Sequence, residues 1–172
     1  MSWPERLQLA LLPGMDGTGL MLQSFQEILA AEVPVTVVRY PARQRRNFAE
    51  LVVDAYEQLP KGVPLVLLGE SFSGPVAVTL ARHFRLEVRG LILCATFARA
   101  PRSILPWVLP LLPTRSLLRI DPPESLVRYF CLGQDAPPLV MERFRETLKA
   151  VDPRVLAQRL EILSQVDVTA DL

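Results

Sequence analysis

Histidine and cysteine are scarce in this chain: its 172 residues hold one histidine, His83, and two cysteines, Cys94 and Cys131. The two thiols match no metal-ligand spacing, so neither a metal nor another cofactor is expected. Cys94 falls in the apolar run Leu91 to Ala95 and reads as a buried thiol, which suits a reducing cytoplasm. Excess charge is absent too. The 19 basic and 18 acidic residues leave a formal charge of +1, too weak a field to gather nucleic acid or an acidic surface, so no nucleic-acid partner is expected. Met1 to Arg6 lack the basic-then-apolar order of a signal peptide. The longest apolar stretch, Ile104 to Leu118, is too short and too rich in proline to span a membrane. The reading is a soluble, cytoplasmic protein.

What the chain does have is apolar residues in a regular order. Half of it is hydrophobic, enough for one domain with a substantial core. Leu7 to Leu12 read as a largely buried strand ending at Pro13-Gly14, followed by a helix with Leu22, Phe25, Ile28 and Leu29 on one face. A β-branched strand, Val35 to Tyr40, closes at Pro41. Asn47, with Glu50 three residues on, then resembles a capping box for a helix burying Leu51, Val52, Ala55, Tyr56 and Leu59. The third strand is Leu65 to Leu68, the third helix runs from about Ser73 to Arg85, and the fourth strand is Gly90 to Ala95. Such βα alternation requires a parallel sheet covered on both faces, and right-handed crossovers predict the order 2-1-3-4. After Phe97 the texture changes to proline-broken helical fragments. There Val140, Phe144, Leu148 and Val151 share a face, and Asp152-Pro153 opens a helix burying Leu156, Leu160 and Leu163. We read residues 1–97 as an α/β core and 98–172 as a mostly helical cap or lid.

Ser71 sits at the apex of Leu65-Val66-Leu67-Leu68-Gly69-Glu70-Ser71-Phe72-Ser73-Gly74, where an apolar strand turns sharply into a helix. A serine there projects its hydroxyl off the end of the sheet, in front of the helix N-terminal N–H groups. In the predicted order, the loop Pro13-Gly14-Met15-Asp16-Gly17-Thr18-Gly19 lies beside this turn at the carboxyl edge of the strands. A flexible βα loop is one reading of it, and a phosphate loop is disfavoured because no Lys-Ser/Thr closes the motif. The better reading is an oxyanion hole formed by the backbone N–H groups of Met15 and Phe72, with Gly14, Gly17, Gly69 and Gly74 permitting the close backbone approach.

These two motifs, set on β-α-β-α-β-α-β and followed by a helical segment, resemble the α/β-hydrolase superfamily, especially its small esterases, thioesterases and acyltransferases. The resemblance covers essentially the whole chain. It implies that Ser71 is the nucleophile, that Phe72 and Met15 are the oxyanion donors, and that residues from about 98 to 165 form a lid over an apolar acyl pocket including Trp107, Leu109 and Leu111. Two departures are local: the usual His-Gly of the oxyanion loop is Pro-Gly here, and the elbow's third glycine is Ser73. A larger one is the missing acid and histidine, which members carry after later strands. This chain stops at Val166 to Leu172, where the next strand should begin. His83 lies twelve residues past Ser71 on the same helix, roughly 18 Å away at about 1.5 Å per residue, too far to be the base. Thr96 to Arg99, after the fourth strand, hold no carboxylate.

The leading expectation is therefore a truncated α/β-hydrolase acting on an ester or thioester of an apolar acyl group through an acyl-enzyme on Ser71, weak or inactive as this chain. Acyl transfer to an alcohol under a dry lid is an alternative, and a non-catalytic protein that binds an apolar ligand or serves as a scaffold is another. Leu91 to Ala95 form an edge without protective charges, so self-association, as a homodimer or as aggregate, is also expected.

Overall fold

A computed structural model describes residues 7–100 and 123–172. Strands β1 (Gln8–Leu12), β2 (Val35–Val37), β3 (Pro64–Glu70) and β4 (Glu87–Cys94) form one sheet in the order β2-β1-β3-β4, every pairing parallel. This is the predicted order. Side chains alternate across the sheet with the two-residue period of a strand. Ala10, Leu12, Leu65 and Leu67 join one buried cluster, and Leu9, Leu11, Val66 and Leu68 join the other.

The first cluster is closed by α2 (Phe48–Gln58) and α3 (Ser73–His83) through Leu51, Val52, Ala55, Val76, Ala77 and Leu80. α2 starts where its capping box predicts: the Asn47 side chain accepts from the Glu50 N–H, and the Glu50 carboxylate accepts from the Asn47 N–H. On the opposite face Leu22 and Leu29 cover the second cluster. Here the expected apolar face of α1 (Gln23–Leu29) is corrected, because Phe25 and Ile28 are exposed. α1 rests on β2, a three-residue edge strand, and so short a strand offers too little surface to cover more than one turn of helix.

Beyond β4 come the short helix α4 (Glu124–Val127), running on through a π turn to Leu132, then α5 (Pro138–Lys149) and α6 (Pro153–Gln165). The Asp152 side chain caps α6 by accepting the Arg154 N–H. Val155, Leu156 and Ala157 are buried on α6 while Leu160 is only partly covered, and the one surprise on that face is buried Arg159. Past α6 the chain pairs antiparallel with the segment just after β4: Val168 N–H donates to the Ala98 carbonyl, and Ala100 N–H to that of Val166. Trp107, Leu109 and Leu111 lie outside the described residues. Among the described residues, no helix is long and apolar enough to cross a membrane.

β4 departs from expectation in one respect. Cys94 is exposed rather than buried, because among the described residues β4 is the sheet edge: Ile92 is 44% and Leu93 41% exposed. An apolar edge with unpaired backbone groups invites a second strand, and we propose that the chain self-associates through it. Light scattering should show dimer or larger species for the purified chain and a shift to monomer for Leu93→Lys. A monomer indifferent to that change would mean that the edge is covered from within.

Candidate functional site

At the end of β3 the chain reverses into α3 through Ser71, whose φ is 48°. A non-glycine residue in the left-handed region stores strain, and it persists only where neighbours hold it. Here the Ser71 N–H donates to the Cys94 carbonyl at 2.9 Å, and the Ser71 carbonyl accepts from the Gly74 N–H and the Thr96 hydroxyl. Ala95, between Cys94 and Thr96, is itself at φ 46°, so the ends of β3 and β4 are strained together. The turn is tight enough to forbid side chains. A Cβ on Gly74 would stand 2.0 Å from Thr96 Oγ1, and one on Gly69 would stand 2.8 Å from the Ser73 carbonyl oxygen. Both elbow glycines, of the four singled out in the sequence, are thus required by space.

The loop after β1 is tied to this elbow by two side chains that motif reading passed over. Glu70 accepts the Gly14 N–H at 2.9 Å. Ser73 donates its hydroxyl to the Pro13 carbonyl. Tyr40, buried at the end of the β2 segment, lies 2.7 Å from Ser73 Oγ. Because the Pro13 carbonyl can only accept, the protons run Tyr40 to Ser73 to Pro13. Burial pushes the Tyr40 phenol well above its ordinary range, so it stays a donor, although Ser73 and Arg159 pull it partly back. Phe72 stacks edge-on against Tyr40, with ring centroids 6.1 Å apart.

Inside the loop, Gly17 at φ 69° donates its N–H to the Gly14 carbonyl at 3.0 Å, a turn that few other residues would adopt. Arg159 of α6 donates to the carbonyls of Met15 and Asp16. Among the described residues neither the Met15 nor the Phe72 N–H donates to a protein acceptor. Burial raises the Glu70 carboxyl above the usual carboxylate range, the Gly14 N–H opposes this, and the Asp16 charge adds to it.

His83 ends α3, at the opposite terminus from the elbow, and its Nε2 lies 2.8 Å from Asp171 Oδ1. It ties the last turn of the described chain to the helix. Among the described residues no cluster of His, Cys, Asp or Glu could hold a metal ion. Ser73, Tyr40 and Glu70 left only faint sequence signals, being a serine where a glycine is usual, a tyrosine closing a strand and a carboxylate at a strand end. Arg159 had a clearer one, a cation three residues after Leu156 on an apolar stripe.

No family model matches the chain. It is 34% identical over 110 residues to phytyl ester synthase 1, chloroplastic, of Arabidopsis thaliana, a match covering 60% of this chain and 16% of that protein, so the chain spans about a sixth of that relative. Among solved structures it is similar to a hydrolase from Pseudomonas aeruginosa PA01, with TM-score 0.65, 23% identity, and coverage of 99% of this chain and 68% of the other. A thermophilic esterase from Thermogutta terrifontis superposes with TM-score 0.69 at 19% identity, covering 99% and 67%.

Two measurements check the ties around the loop. Ser73→Ala leaves the Tyr40 hydroxyl and the Pro13 carbonyl buried without each other's bridge, and urea unfolding should show a loss of about 1–3 kcal/mol. Tyr40→Phe should cost less, because Ser73 still donates to Pro13. Glu70 binds its proton more tightly folded than unfolded, so its contribution to stability is present at low pH and is lost as pH rises past the ordinary value of 4.5. Glu70→Gln keeps an acceptor for Gly14, and its melting temperature should fall less than wild type's over that rise.

Proposed function

The chain has the α/β-hydrolase fold, and on that premise we propose that Ser71 is a nucleophile for acyl transfer from an ester or thioester of an apolar acyl group. Ser71 Oγ attacks the carbonyl carbon, the electron pair of the C=O bond moves to oxygen, and the Met15 and Phe72 N–H groups stabilise that oxyanion. Collapse expels the alkoxide or thiolate and leaves an acyl-enzyme, which water then hydrolyses. The observation that carries this reading is the strained, positive-φ turn at Ser71, and it is supported by the loop's two hydrogen-bonded ties to the elbow at Gly14 and Pro13 and, among the described residues, by a Met15 N–H with no protein acceptor.

One step is unassisted within this chain. The single imidazole is engaged with Asp171 at the far end of α3, and on this reading, with no other base at the elbow among the described residues, hydroxide or solvent takes the serine proton. Hydrolysis of p-nitrophenyl acetate should accordingly stay weak, no more than about 10³–10⁴ above water, and because this residual rate comes from the oxyanion hole and binding alone rather than from attack by Ser71, it should change little in Ser71→Ala.

A second reading follows from the resemblance to a phytyl ester synthase: the acyl group passes to an alcohol rather than to water. Product analysis with water and a long-chain alcohol in competition separates the two.

Ser71 itself is tested by prolonged incubation with an alkyl fluorophosphonate. One adduct on Ser71 should form slowly, absent in Ser71→Ala, with a rate rising about tenfold per pH unit, as expected when hydroxide is the base. A plateau near neutrality would reveal an overlooked base. No adduct at any pH would favour a protein that binds an apolar ligand without turning it over.

A further inference from the structure

Arg159 is 2% exposed, and among the described residues no carboxylate forms an ion pair with it. A guanidinium removed from water must be surrounded by acceptors, and those it has are backbone oxygens. Nη1 donates to the Met15 carbonyl at 2.8 Å and to the Asp16 carbonyl at 2.6 Å, and Nη2 to the Pro41 carbonyl at 3.0 Å. The cation also lies 5.6 Å from the Tyr40 ring centroid.

Two of these carbonyls belong to the loop that carries Met15, and each peptide unit is planar and trans, with its C=O and N–H opposed. Aiming the Asp16 carbonyl at Arg159 turns the Gly17 N–H the other way, where it meets the Gly14 carbonyl at 3.0 Å. Aiming the Gly14 carbonyl at Gly17 in turn directs the Met15 N–H out of the turn. Three successive peptide planes thus follow from one side chain on a distant helix. Met15 is held a second way, its side chain packing against the cluster that Val155 and Leu156 of the same helix form with Val151. Gly17 is shaped for the arrangement, since a Cβ there would stand 2.7 Å from Arg159 Nη1.

We propose that Arg159 is a positioning residue for the oxyanion hole: its guanidinium holds the Met15 and Asp16 carbonyls and thereby keeps the Met15 N–H free for the developing oxyanion. The inference rests on the role of Met15 proposed above, and it makes the helical segment after β4 part of the site's frame as well as its cover.

The test is amide hydrogen exchange on the whole chain as wild type, Arg159→Met and Arg159→Lys, with Ser71 phosphonylation measured in parallel. In Arg159→Met, exchange of the Gly17 amide should accelerate at least about tenfold more than that of Leu67 in β3. Lysine keeps the charge but not the fork, and should give an intermediate effect. Equal acceleration at Gly17 and Leu67 would make Arg159 a general stability residue, and no acceleration at Gly17 would show the loop independent of it; either overturns the proposal. If Arg159→Met does not fold, Arg159→Lys is judged by the same comparison. Phosphonylation should slow about tenfold in Arg159→Met with its pH slope unchanged. A loosened Gly17 with an unchanged labelling rate would dissociate the loop from the oxyanion and also overturn the proposal. Absence of labelling in wild type would instead sink the nucleophile reading, while the exchange comparison still decides whether Arg159 holds the loop.

Discussion

A buried cation cannot be left without oxygen, and this requirement organises the carboxyl edge of the sheet. Arg159 draws the carbonyls of Met15, Asp16 and Pro41 toward one point, so the loops after β1 and β2 and the last long helix converge there. From the other side the elbow holds the same loop, through Glu70 on the Gly14 N–H and Ser73 on the Pro13 carbonyl. The loop is therefore set between a cation on its carbonyls and a carboxyl oxygen on an amide, which suits the dipole of its peptide units. Neither group need touch a substrate to matter.

Much of this fold could be read from the chain. Short continuous apolar runs in β1 and β3, the Asn47–Glu50 cap and the proline and glycine stops are local signals, and the crossover rule turned them into the correct strand order. The elbow was legible because a positive-φ serine demands small neighbours in fixed places. What could not be read were interactions between distant residues that use ordinary side chains: Tyr40 with Ser73, Glu70 with Gly14, Arg159 with Met15. Such hydrogen bonds leave no periodicity.

Cys94 and α1 show where pattern reading misleads. An apolar run implies burial only if something lies over it, and β4 has a neighbour on one side alone among the described residues. Phe25 and Ile28 have the right helical spacing, yet the sheet beneath α1 narrows to the three residues of β2. In both cases the local signal was sound and the missing information was how far the sheet extends.

The contact between Arg159 and Met15 spans 144 residues of a 172-residue chain. Closing so long a segment carries an entropy cost that grows only slowly with length, but it cannot occur until synthesis has passed Arg159. On a ribosome, the β1 loop and the elbow emerge long before the helix that holds the loop's carbonyls. The strands could then pair and Ser71 adopt its turn while the Met15 peptide planes were still unset. Assembly order thus separates the serine from the amide proposed to serve it.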